Sequence, residues 1–224
     1  MFPAIIDTTV FPIPRENPHM KLQHLKCIAI AALAFAATTT ISAQELTQAE
    51  KDHALQYLES TKADVLAATK GLSDAQWNFK PGPDRWSCAQ VMEHIAAAED
   101  LLRDGLLKQQ VMVGPAGDPA RDVKKMDAGV EAMVPDRSHK VQAPEPLVPT
   151  NRYGSPEAAL KHFLESREIT EQYLSSTPGL RDHVGDSPMG KIDGYQTILL
   201  VAAHSERHVK QILEVKADPN FPKS

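Results

Sequence analysis

No apolar run in this 224-residue chain is long enough to cross a membrane. The longest, residues 27–37, has 11 residues, against the roughly 20 that a helical span needs. It follows Lys21 and Lys26 and precedes Ile41-Ser42-Ala43, a small-residue cleavage site. That layout is a secretory signal peptide starting at Met20. The expectation is that residues 1–43 are an N-terminal extension plus leader, and that 44–224 is the domain. The product is then exported, periplasmic or secreted, with no membrane span once the leader is gone.

Cysteine is nearly missing as well. Of Cys27 and Cys88, only Cys88 survives cleavage. That excludes an intramolecular disulfide and a thiolate-rich metal site, and a lone exported thiol is expected to be buried. A basic footprint is also lacking. Removing residues 1–43 takes away Arg15, Lys21, Lys26, Asp7 and Glu16, leaving 21 basic against 27 acidic residues with no basic cluster. Nucleic acid is therefore excluded as a partner. Convincing strand alternation and internal repeats are absent too.

What is present is helical punctuation. Thr47 and Glu50 form a capping box opening a helix to about Lys70, with Ala54, Leu55, Leu58, Val65 and Leu66 on its inner side. Residues 72–84 read as a linker. Ser87 and Gln90 form a second box, with Trp86 and Val91 as a hydrophobic staple, and this helix runs to about Val111. Residues 112–156 carry seven prolines and a short helix around 120–133. Ser155-Pro156-Glu157 opens a third long helix to about Ser176, with Leu160, Phe163, Leu164, Arg167 and Leu174 inward. Residues 180–192 read as a loop. Asp193 caps the last helix, which stops at Asp218-Pro219. Four long amphipathic helices give an all-α fold: a four-helix bundle with a long crossover between its second and third helices.

Three histidines fall on apolar stripes. His204 and His208 are four apart and share one face of the last helix; His94 lies inward on the second. Buried imidazoles need hydrogen-bond partners or a metal. Facing helices of a bundle are where metal sites are built, and three neutral nitrogens leave room for water or substrate. Other candidates rank lower. Cys88 sits in the first turn of its helix, where the dipole could lower its pKa, but packing explains it. Glu93 and Glu206 adjoin the histidines in sequence and read as solvated. Gln90 could orient His94, though its cap role suffices. His53 and His162 read as surface residues. Trp77, Phe79 and Trp86 should pack at a bundle end.

The run R-W-S-C-A-Q-V-M-E-H from Arg85 to His94, with A-H-S-E-R-H from Ala203 to His208, resembles the DinB-like superfamily, which includes bacillithiol S-transferases and related thiol-dependent enzymes. The tail from Gln211 to Lys216 and Asn220-Phe221-Pro222 is similar too, so the resemblance covers about residues 46–222. It implies a bundle with a long crossover and a divalent metal ion, often zinc or nickel, held by His94, His204 and His208. The expected role is a metal-dependent transferase or hydrolase acting on a small molecule, with the histidines as ligands only, no evident general base, and a homodimer left open. The rival expectation is a non-catalytic metal- or ligand-binding bundle of the cell envelope. The export signal departs from the cytosolic members and puts a thiol co-substrate in question.

Overall fold

The structure, a computed structural model, describes residues 45–223. The expected leader and its cleavage site, residues 1–43, lie outside the described residues. Four long helices form the bundle. Helix α1 is Gln48–Thr69 and the short α2 is Asp74–Asn78. Helix α3, Cys88–Asp100, continues without a break into a π-helical run, Leu101–Val111. Within the crossover lie α4, Val123–Met133, and a single 3₁₀ turn, Glu145–Leu147. Then come α5, Pro156–Ser176, a hairpin of β1, Val184–Ser187, and β2, Gly190–Asp193, and finally α6, Gly194–Lys216. Helix α1 packs on α6 and α5, α3 on α5 and α6, and α4 lies along α6. Among the described residues no helix is long and apolar enough to cross a membrane.

The helix starts are set by their caps. Capping boxes are present at Thr47/Glu50, Ser87/Gln90 and Asp193/Gln196, each pairing side chain and backbone N–H in both directions. Four expectations need correction. The 72–84 linker contains α2, whose Ser73/Gln76 box carries the same signature. Residues 184–193 form an antiparallel hairpin with Val184 opposite Asp193 and Ser187 opposite Gly190. Its strands of four residues are too short to show alternation, and Gly190, at φ 90°, closes the turn where a side chain would be strained. The second helix does reach Val111, but its later bonds span five residues, as in Met112 N–H to Leu107 O at 2.9 Å. Finally, Leu55 and Leu66 stay exposed, because α1 turns Thr61 and Thr69 inward with Ala54, Leu58 and Val65.

Two apolar zones make up most of the core. One gathers Leu58, Leu107, Val111, Leu174 and the first half of α6. The other gathers Val65, Trp77, Val91, Met92, Phe163 and the second half of α6. A polar belt crosses the bundle between them. There Arg167 of α5 donates to both carboxylate oxygens of Glu99, to Leu58 O, to Thr61 Oγ1 and to Ser205 Oγ at 2.7–2.9 Å. Thr170 adds a bond to Glu99. Four helices are thus tied by one guanidinium, and the belt meets α6 at Ser205, next to the first of the paired histidines.

Candidate metal centre

His94 projects from α3, and His204 and His208 project from α6 one turn apart. Their rings converge. His94 Nε2 lies 3.3 Å from His204 Nε2 and 3.1 Å from His208 Nε2. One ring nitrogen from each of the three lies within 4.8 Å of the others. His94 and His208 are buried, and His204 is partly exposed.

The remaining nitrogens fix which atoms face the centre. His94 Nδ1 lies 2.8 Å from the carbonyl oxygen of Leu147, and a carbonyl can only accept, so Nδ1 carries the proton. His208 Nδ1 lies 2.8 Å from Gln211 Oε1, one turn further along α6, and that amide is placed to accept in the same way. Both Nε2 atoms then present lone pairs to the same small volume. Trp86 lies against His94 with ring centroids 4.9 Å apart and the planes tilted by 51°, covering one flank.

All three imidazoles are held neutral. Burial lowers the His94 pKa despite the Leu147 hydrogen bond. Burial, then the neighbouring His94 and Arg207, lowers His204 to about 3. Burial and the adjacent His204 and His94 put His208 well below the ordinary value. Neutral imidazole is the metal-ligating form. The His94 and His208 lone pairs meet at 3.1 Å beside His204 Nε2, with no carboxylate among them, and repel unless a cation or a proton joins them. Separations of 3.1 and 3.3 Å are short enough for two nitrogens to share one ion at zinc–nitrogen lengths of about 2.0–2.1 Å, so the donor set fits a divalent metal.

The crossover wraps this centre from both ends. Glu93, expected to be solvated, is buried at 6% exposure. Its carboxylate accepts from the backbone N–H groups of Thr150, Asn151 and Arg152 at 2.7, 2.8 and 3.2 Å, and from Arg152 Nε at 3.1 Å. Burial would raise its pKa, but these N–H donors outweigh it and hold the group below the usual carboxylate range. At the other end, Arg207 of α6 donates to the carbonyls of Val134, Asp136 and His139. Arg137 pairs with Glu214 at 2.6 and 2.7 Å and reaches Gln211.

The other sequence candidates lie elsewhere. Glu206 is also not simply solvated, since it accepts from Tyr57 at 2.6 Å. Gln90 spends its amide oxygen on the Ser87 N–H. His53 and His162 pair with Glu131 and Asp100, away from the triad. Cys88 is fully buried, and burial pushes its thiol up to about 11, opposite to the effect of the helix dipole. Trp77 and Phe79 pack in the zone beyond the belt. Of the residues that sequence reasoning missed, Gln211 was within reach as the polar residue three after His208. The Leu147 carbonyl carries no signal in a side-chain pattern.

The family model of the DinB superfamily matches residues 57–212, which include all three histidines. The chain belongs to the DinB superfamily. Among curated proteins this DinB protein is 26% identical, over 152 residues, to the uncharacterized protein YuaE of Bacillus subtilis (strain 168). That match covers 66% of this chain and 87% of YuaE. Among solved structures it shares its fold with YfiT from Bacillus subtilis, described as a probable metal-dependent hydrolase with an unusual four-helix bundle topology. The TM-score is 0.51 at 18% identity, covering 80% of this chain and 93% of YfiT.

Proposed function

We propose that this DinB protein is an exported enzyme that acts on a small molecule through a divalent ion, zinc or nickel, held by His94, His204 and His208. The approach of the three ring nitrogens carries this reading. Bound there, the ion supplies Lewis acidity and lowers the pKa of a nucleophile such as water or a thiol. The protein's own residues keep the ligand nitrogens unprotonated, aim them with Leu147 O and Gln211, and wall one flank with Trp86. His204 is the partly exposed member of the three, the one a substrate would approach. The description of YfiT favours hydrolysis over group transfer.

One observation favours a second reading, a metal-binding bundle without turnover. Among the described residues, the hydrogen-bond and ring partners of the triad beyond its own members are Trp86, the Leu147 carbonyl and Gln211, and none is a general base. Metal stoichiometry of the purified chain, followed by ester, amide and thiol-acceptor assays, separates the two. His204→Ala is expected to lose the metal; wild-type metal content in that variant overturns the site. Turnover that disappears with the metal supports the enzyme. Full occupancy with no activity across the panel supports the binding bundle. N-terminal sequencing of the native product tests export, and a mature chain still carrying Phe2 refutes it.

A further inference from the structure

Glu93 and His94 are consecutive on α3, so their side chains leave the helix about 100° apart. They nevertheless meet again through the crossover. Glu93 holds Arg152 by the backbone N–H and by Nε. The same guanidinium sends Nη1 to Pro146 O and Nη2 to Val148 O, both at 2.9 Å. Those carbonyls flank Leu147, whose own carbonyl accepts from His94 Nδ1. The bonds form a closed ring from the α3 backbone through Glu93, Arg152 and residues 146–148, back through the His94 ring to α3.

We infer that Glu93 is a positioning residue for the metal centre, setting the tautomer and orientation of His94 through Arg152 and the Leu147 carbonyl. The inference rests on the metal-site reading above. A loop segment in a proline-rich crossover has few ways to hold one carbonyl on a ring nitrogen. Here the segment is clamped on both sides of the carbonyl by one planar group with fixed donor directions. The carboxylate itself fills a concavity of three successive N–H groups, the arrangement that binds anions in loop nests. Asn151, at φ 65°, supplies the left-handed turn that points those N–H groups together, a conformation asparagine tolerates. Glu93 thus contributes no ligand atom and acts on the centre only through the backbone it organises.

The test uses the full chain loaded with cobalt(II), read by its visible absorption and by competition with a chromophoric chelator. Outer partners of metal-bound histidines typically alter affinity by about 10–100-fold. Glu93→Ala is expected to weaken cobalt(II) binding at least about tenfold, to change the band pattern, and to move the pH midpoint of binding, as His94 loses its fixed tautomer. Glu93→Gln, which keeps an acceptor oxygen, should recover part of that loss. A folded Glu93→Ala protein with wild-type affinity, spectrum and pH midpoint overturns the inference. If Glu93→Ala fails to fold, Arg152→Ala decides, because it leaves the three backbone N–H groups on Glu93 and cuts only the guanidinium bridge from Glu93 to Pro146 and Val148. Wild-type cobalt(II) binding in that variant overturns the inference equally. Failure of the unaltered chain to bind cobalt(II) is a different result: it removes the metal site, and this role with it.

Discussion

Arg167 and Glu99 meet in a two-pronged pair, 2.8 and 2.9 Å long, with side-chain exposures of 0% and 1%. The pair lies in the belt between the two apolar zones. Such a pair is not in itself a large source of stability, because both ions lose their hydration. Its removal by halves is the damaging event.

Arg167→Met is therefore expected to destabilise the fold by about 3–5 kcal/mol, leaving Glu99 buried with only Thr170 as a side-chain donor. Combining it with Glu99→Gln should recover much of the loss. Urea unfolding of the two single variants and the double variant measures this. Additive losses would show that the two residues act independently.

In the metal-free chain, stability should depend on pH in a defined window. In the unfolded chain the three histidines take up protons near pH 6.5. In the folded chain they resist: His204 is lowered to about 3, and His94 and His208 are lowered as well. Below about 6.5 the unfolded state thus holds more protons, and stability falls as pH falls. Each such group steepens the slope by up to about 1.4 kcal/mol per pH unit. Between pH 6.5 and 5 most carboxylates remain ionised, so urea midpoints there isolate the histidines. A slope unchanged in His204→Leu/His208→Leu assigns it to other groups.

The Cys88 thiol should be inert while the protein is folded. It is fully buried and pushed up to about 11, so almost no thiolate forms at pH 8. In a Cys27→Ser background, a disulfide reagent should react with one thiol per chain in denaturant and at least about a hundredfold more slowly in native buffer. Fast native labelling would mean that the first turn of α3 opens readily.

The parts of this fold that sequence reveals are those fixed by neighbours a turn apart. The boxes at Thr47 and Ser87 and the cap at Asp193 fall where side chains satisfy backbone groups within a turn, and the His204/His208 pair follows from the helical repeat alone. What escapes is whatever depends on distant partners. Glu93 looks like a surface acid until the N–H groups of residues 150–152 arrive, 57 to 59 positions later. Tyr57 reaches Glu206 across 149 positions. The π-helical run repeats its apolar residues five apart, Leu101-Leu102, Leu106-Leu107 and Val111, a period that the ordinary helical template passes over.

That run has a consequence for how the protein can change. Its last residue, Val111, presses against Gly185 of the hairpin, where a β-carbon would come within 2.9 Å of the valine methyl. The hairpin in turn ends at Asp193, the cap from which α6 starts. The number of residues between Leu101 and Val111 therefore acts as a phase setting for the helix that carries two of the three histidines. Point replacements leave that phase intact. Losing or gaining one residue would rotate Val111 off its seat, so length, more than identity, is what this stretch has to preserve.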